Sequence, residues 1–345
     1  MAAPVKPLPP ADLDAILART EALWAGLGDG RIFLTGGSGF FGAWLVESFV
    51  HARARLGLRG ELWLLCRDPA AWAARFPHLE ASPGLRRVPG DLSGFQVPEG
   101  AFHGLIHAAT AAAPPLAEFR SMVAGTERML AFAQASGAAR LLFTSSGAVY
   151  GPATGPIPED CRSAPDPSDP ASAYGQGKRA SEFLFSAFAR ERGAQAILAR
   201  CFAFVGPHLK LDANFAIGNF IRDALGGEAI RIAGDGTPLR SYLYAADLAT
   251  WLWTLYFKGP SGRPIHVGSD QPIAIAQLAA TVARVVKPGL PITVAGTPEP
   301  GQPPRCYVPA IDRARGELGL EPWTGLEEAI RRTAAWHQME GTAAP

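Results

Sequence analysis

The chain has 345 residues, 48% of them hydrophobic, and its 32 basic and 31 acidic residues leave a formal net charge of +1. That length supports one large α/β domain, or a nucleotide-binding domain with a smaller partner. The balanced charge supplies no basic field to hold nucleic acid or an anionic membrane, and no run of about 18 apolar residues could span a bilayer.

Residues 1–10 are proline-rich and read as a loose arm. From 12 to 27 the apolar residues Leu13, Ile16, Leu17, Leu23, Trp24 and Leu27 recur at helical spacing, closed by Gly28, so a helix is predicted ahead of the first strand. Residues 31–35 form the first predicted strand. The stretch Thr35-Gly36-Gly37-Ser38-Gly39-Phe40-Phe41-Gly42 follows and re-enters as a helix at 43–55. A strand that turns through glycines into a helix presents free backbone N–H groups and the positive helix end, which suits a pyrophosphate. Gly36 serves the tight turn, Gly39 the close approach of phosphate, and Gly42 the packing of helix on strand. In that helix Val46, Phe49 and Val50 form the inner face, while Glu47, His51 and Arg55 are expected on the solvated side.

Further apolar strands are predicted at 61–66, 86–88, 105–109, 141–145, 196–200 and 264–267, with helices between most of them, notably 116–136 and 174–192. This alternation predicts a doubly wound parallel sheet of Rossmann type, with ligands at the carboxyl ends of its strands. The expected division is an N-terminal arm and helix (1–29), a dinucleotide-binding domain (30–205, with 245–270 returning to it), and a smaller C-terminal substrate domain (206–244 and 271–340). Residues 151–171, thick with Pro, Asp and Gly, read as a surface loop over the site. The four cysteines, Cys66, Cys161, Cys201 and Cys306, show no metal spacing and read as reduced thiols. With no leader pattern in view, a cytoplasmic protein is expected.

Ser145-Ser146 ends the fifth predicted strand, and Tyr174-Gly175-Gln176-Gly177-Lys178 opens the next helix. Residues i and i+4 share a helix face, so the Tyr174 phenol and Lys178 ammonium can point the same way. A neighbouring cation favours the phenolate, which makes Tyr174 a candidate general base. The plain alternative is a surface pair. With six tyrosines and five lysines in the chain, chance gives about 0.1 such pairs.

Together these segments resemble the extended short-chain dehydrogenase/reductase family, in its nucleotide-sugar epimerase/dehydratase branch. The resemblance runs from Arg31 to about Trp323 through TGGSGFFG (35–42), GDL (90–92), HAAT (107–110), TSSGAVYG (144–151), YGQGK (174–178), RCFAFVGP (200–207) and GDGTPLRSYLYAADLA (234–249). It implies NAD or NADP as cofactor, a nucleoside-diphosphate sugar as substrate, no metal, and a homodimer formed through a helix bundle that includes the Tyr174 helix. By the same resemblance Gly36, Gly39, Phe40, Phe41 and Gly42 line the pyrophosphate turn, and Asp91 and Leu92 flank the adenine. Ala108, Ala109 and Thr110 lie along the cofactor, and Lys178 reaches the nicotinamide ribose. Ser146 would bond the reacting oxygen while Tyr174 exchanges the proton. Asn214, Arg240 and Arg305 take positions that contact base or diphosphate, with structural ion pairs as the plain alternative for the arginines.

Three positions depart from the family pattern. Gly147-Ala148 stands where 4,6-dehydratases carry Asp-Glu, Met122 where many members have Asn, and Ala203 where an Asn contacts the sugar. Elimination of water needs an acid and a base, which Gly147 and Ala148 cannot supply. The expected activity is therefore hydride transfer at C4, as a 4-epimerase or 4-keto reductase. The alternatives are a dehydratase or decarboxylase of the same family, or a catalytically silent NAD(P)-binding sensor or scaffold. Arg67, directly after the second strand, could pair with a 2′-phosphate, which favours NADP over NAD. The plain alternative is that Arg67 faces solvent and Asp68 or the backbone serves the ribose of NAD.

Overall fold

Short apolar runs separated by glycine-closed helices give the strand-helix alternation that the sequence predicts. The computed structural model describes residues 4–110, 113–213 and 215–338, and its contacts group the chain into two units. Unit one comprises Met1–Gly151, Arg162–Cys201 and Ala249–Ile265, and unit two Pro152–Cys161, Phe202–Leu248 and His266–Pro345.

In unit one, α1 (Pro10–Thr20) precedes β1 (Arg31–Thr35), α2 (Phe40–Leu56), β2 (Glu61–Cys66), α3 (Pro69–Arg75), β3 (Leu85–Asp91) and β4 (Gly94–Phe95). Then come β5 (Gly104–His107), α4 (Pro115–Ser136), β6 (Arg140–Ser146), α5 (Ala173–Arg192) and β7 (Gln195–Cys201). These seven strands of an eight-stranded sheet lie in the order β7-β6-β5-β1-β2-β3-β4, parallel except for the β3–β4 pair. Strand order reverses between β1 and β5, which join at Thr35 and His107, and the carboxyl ends on either side of such a switch are where a doubly wound sheet receives ligands.

One core lies between the sheet and α4 and α5. Phe33 packs on Phe132 at 4.4 Å and on Phe95 at 5.5 Å between ring centroids, and both partners are buried. Cutting such a ring to alanine typically costs about 3–5 kcal/mol. The other face carries the predicted N-terminal helix, which differs from expectation in form. It is α-helical only to Thr20, whose hydroxyl turns back onto the Ile16 carbonyl, and continues as a 3-10 helix over Glu21–Gly26. That tighter turn seats Trp24 4.7 Å from Trp253.

The arm is not loose where it is described. The Val5 amide donates to the Arg75 carbonyl at 2.8 Å, and the buried Leu8 donates its amide to Glu47 Oε2 at 2.7 Å. Covering by the arm and α1 also corrects the expected solvated face of α2. Glu47 is buried and receives His78 as well as Leu8, and His51 pairs with Asp14 of α1 at 2.8 Å.

In unit two, Leu239–Arg240 is the central strand of a three-stranded sheet, antiparallel to Ile273–Ala274 and parallel to Cys306–Tyr307. Residues 152–161 group with this unit, where Ile157 bridges to Pro309 and donates its amide to the Val308 carbonyl at 2.8 Å.

Candidate active site

The glycine turn between β1 and α2 is shaped by what a side chain would strike. Gly36 has φ +79°, and a Cβ there would meet the Ala108 and Ala109 backbone at 2.8 Å, so β5 runs out directly beside the turn. A Cβ on Gly42 would drive into Gly36 and Gly37. Gly39 caps α2 with extended backbone and no side-chain bond, at the end of a helix where the first-turn amides have no acceptor one turn earlier. A helix start behind a glycine turn is the arrangement that suits the diphosphate of a dinucleotide.

Behind the turn, Thr35 Oγ1 accepts the Ala109 amide at 3.2 Å and lies 2.8 Å from His107 Nδ1. Burial, with Lys178 nearby, pushes the His107 pKa down to about 3. A neutral ring therefore locks the ends of β1 and β5 together, which puts Ala108, Ala109 and Thr110 beside the turn. At the end of β3, Asp91 Oδ1 accepts the Ser93 hydroxyl and the amides of Ser93 and Gly94, and these bonds, the hydroxyl's first, hold its carboxyl below the usual range. Leu92 is half-buried beneath Gly125 of α4. Arg67 is exposed after β2, and the adjacent Asp68 is engaged as the N-cap of α3, taking the Ala71 amide at 2.9 Å.

The second group comes from β6 and α5. Two glycines bring the helix in. A Cβ on Gly175 would meet the Ala148 carbonyl, and one on Gly177 would strike Met122 of α4. Met122 thus fills the position of the family's Asn with packing against the YGQGK segment. The close approach lets the Tyr174 hydroxyl bond Ser146, the last residue of β6, whose Oγ also accepts the Ala148 amide at 3.1 Å.

Lys178 is buried and donates to the Thr144 carbonyl at 2.8 Å and to Thr110 Oγ1 at 3.1 Å, with Nζ 5.7 Å from the centre of the Tyr174 ring. Burial pushes the Lys178 pKa down to about 8. The sequence expectation is that this cation draws the phenol toward its anion. In the structure burial is the larger influence on Tyr174 and raises its pKa, with the Ser146 hydrogen bond opposing. The ammonium is nevertheless in place to stabilise a phenolate once one forms.

A supporting network escaped sequence reasoning. Glu182, one turn beyond Lys178, accepts Ser145 Oγ at 2.5 Å and forms a two-pronged pair with Arg200 of β7. Arg200 in turn donates to the Tyr150 hydroxyl at 2.5 Å. Ser145, directly before Ser146, is therefore tied to the helix that carries Tyr174, and Tyr150, four residues after Ser146, is tied to it through Arg200. The signal available was the i, i+4 step from Lys178 to Glu182 combined with the arginine that opens RCFAFVGP.

Of the residues expected to hold the nucleotide sugar, Arg240 and Arg305 fall together in unit two. The Leu239 amide bonds the Arg305 carbonyl at 2.8 Å, and the Arg240 guanidinium lies 5.8 Å from the Tyr307 ring centre. Asn214 lies outside the described residues. Ala203 accepts the Leu243 amide through its carbonyl. Glu159, the nearest acid in sequence after Gly147-Ala148, is buried and takes the His266 amide at 2.9 Å and the Arg313 amide at 3.2 Å. Its carboxylate is structural.

The NAD dependent epimerase/dehydratase family matches residues 32–268. UDP-glucuronic acid decarboxylase 6 of Arabidopsis thaliana is 31% identical over 309 residues, covering 87% of this chain and 86% of that protein. Among solved structures, MoeE5 in complex with UDP-glucose and NAD superposes with a TM-score of 0.73 at 25% identity, over 91% of this chain and all of that one. The dTDP-glucose 4,6-dehydratase of Bacillus anthracis in complex with NAD gives 0.74 at 18% identity, over 90% and 97%, a likeness of fold. Because the matched segment carries both the glycine turn and the Ser146, Tyr174 and Lys178 group, the chain belongs to the NAD-dependent epimerase/dehydratase family.

Proposed function

We propose that this protein transfers a hydride between a nicotinamide cofactor and C4 of a nucleoside-diphosphate sugar, as a 4-epimerase or a 4-keto reductase. The observation that carries this reading is the hydrogen bond between Tyr174 and Ser146, with Lys178 buried beside the same ring. Bound nicotinamide would take up the C4 hydride and return it. Tyr174 accepts the C4 hydroxyl proton as the carbinol becomes a ketone, and returns a proton in the reverse direction. Ser146 donates to the developing carbonyl oxygen, while the Lys178 ammonium stabilises the phenolate.

A second reading, decarboxylation, is favoured by the relatives. Oxidation of a nucleotide-linked hexuronate at C4 gives a β-keto acid. Its C5–carboxylate bond breaks to release carbon dioxide, the electron pair passing into the C4 carbonyl that Ser146 holds. This route needs no acid-base pair at Gly147-Ala148, so it shares with the first reading everything but the fate of the ketone. Dehydration needs that pair, and Glu159 is bonded elsewhere.

Arg240 and Arg305 are read as diphosphate contacts, since a guanidinium fork donates paired bonds to phosphate oxygens. NAD accompanies four of the similar structures, whereas the exposed Arg67 beside a capping Asp68 supports NADP for this chain. A homodimer through α4 and α5 is supported by Phe183, 70% exposed on α5, above a groove of about 620 Å³ whose lining includes Phe119 and Arg179. The test is rapid mixing of the cofactor-loaded protein with UDP-glucose, UDP-galactose and UDP-glucuronate while following reduced nicotinamide by absorbance. A substrate-dependent absorbance change that is lost in Tyr174→Phe is expected. No change with any sugar would support the silent scaffold instead.

A further inference from the structure

Arg75, the last residue of α3, reaches back to the glycine turn and donates from Nη1 to the Ser38 carbonyl at 3.0 Å. Its guanidinium is half-buried, and among the described residues no carboxylate is paired with it. Burial alone lowers its pKa. A cation withdrawn from water without an acid partner is stabilised when an anion arrives. Its backbone is fixed from the other side by the Val5 amide.

The surroundings give that anion an address. Gly37 sits on Leu64 of β2, so the turn and the end of β2 adjoin. Arg67 follows that strand, and α3 then spans about 10 Å back to Arg75 at the turn. A third guanidinium, Arg87 of β3, is 5.6 Å from the ring centre of Trp72 on α3. Of the acids nearby, Asp68 caps α3 and Asp91 closes the turn to Gly94, with the charge of Arg67 also acting on the Asp91 carboxyl.

The diphosphate of a dinucleotide belongs at the α2 amides. The β2 side of the turn, from which Arg75 approaches, faces the adenosine ribose in a Rossmann turn. We propose that Arg75 and Arg67 together form the seat of the 2′-phosphate of NADP, with Arg75 holding it against the turn and Arg67 closing the strand side. This rests on the reading that the chain prefers NADP. It adds the residue that fixes the preference.

Calorimetry on the full chain tests it with NADP+, NAD+, adenosine 2′,5′-bisphosphate and 5′-AMP, for the wild type, Arg67→Ala, Arg75→Ala and Arg75→Lys. A charge-assisted bond to phosphate amounts to roughly a tenfold effect or more. Arg75→Ala should weaken NADP+ and the bisphosphate by at least about tenfold while changing NAD+ and 5′-AMP by less than about threefold, with Arg75→Lys between. Equal losses for all four ligands, or none, overturn the proposal. If the wild type prefers NADP+ and only Arg67→Ala alters the ratio, Arg75 has no part while the cofactor reading stands. A wild type that binds NAD+ as tightly as NADP+ removes both. Should circular dichroism find Arg75→Ala unfolded, Arg75→Lys decides by the same ratio.

Discussion

Glu182 grips Arg200 with both carboxylate oxygens, Nε to Oε1 at 2.9 Å and Nη2 to Oε2 at 2.6 Å, at a site where both side chains are largely withdrawn from solvent. The same Oε1 accepts the Ser145 hydroxyl, so the pair braces the residue next to Ser146. Removing one partner of a buried pair leaves the other uncompensated, typically at a cost of about 3–5 kcal/mol. Glu182→Gln should therefore lower the urea unfolding free energy by about 3 kcal/mol. A loss under about 1 kcal/mol, the value of a surface pair, would show that the bracing is not structural.

Tyr174→Phe removes only the ionisable oxygen and leaves the ring packed. Turnover should fall by about 100- to 10,000-fold, the usual contribution of a positioned acid or base, while the cofactor dissociation constant stays within about threefold. Retention of more than about a tenth of the activity would contradict the role.

His107 is neutral in the fold, its pKa pushed down to about 3 by burial, while an unfolded histidine titrates near 6.5. Below pH ~6.5 the unfolded chain takes up a proton that the native ring refuses, so stability falls with pH until the folded pKa is reached. Between pH ~6.5 and ~4.5 this one group should remove about 2 kcal/mol. Urea titrations at both pH values should give a smaller drop for His107→Asn by about that amount. Parallel losses in variant and wild type would contradict it.

Phe183 places a large apolar ring in water, and the second copy of the chain is its expected cover. Light scattering should find a dimer for the wild type and a monomer for Phe183→Asp. A monomeric wild type would remove the homodimer from the account.

The strands were legible because their apolar runs end at recognisable punctuation. The turn after Thr35 and the exit at His107 to Thr110 are set by local sequence, and local sequence is what periodicity reads. The Tyr174 and Lys178 pair was legible for the same reason. What sequence spacing could not supply was the environment. The burial that raises the Tyr174 pKa comes from long-range packing, the Glu182 and Arg200 pair joins a helix to a strand, and the Leu8 amide that buries Glu47 arrives from 39 residues away. Arg75 carried no sequence signal. Its meaning lies in the Ser38 carbonyl it reaches across α3.

The central claim is hydride transfer at C4 without elimination, and its most direct measurement is proton NMR of the sugar after incubation with NAD+ or NADP+. UDP-glucose, UDP-galactose, dTDP-glucose and UDP-glucuronate should be tried separately. The account expects inversion at C4, oxidation at C4 to the ketone or, from the hexuronate, a UDP-pentose with release of carbon dioxide, and in every case an oxygen retained at C6 wherever C6 itself remains. A 4-keto-6-deoxy product would contradict it, because Gly147 and Ala148 offer no acid and no base for the loss of water.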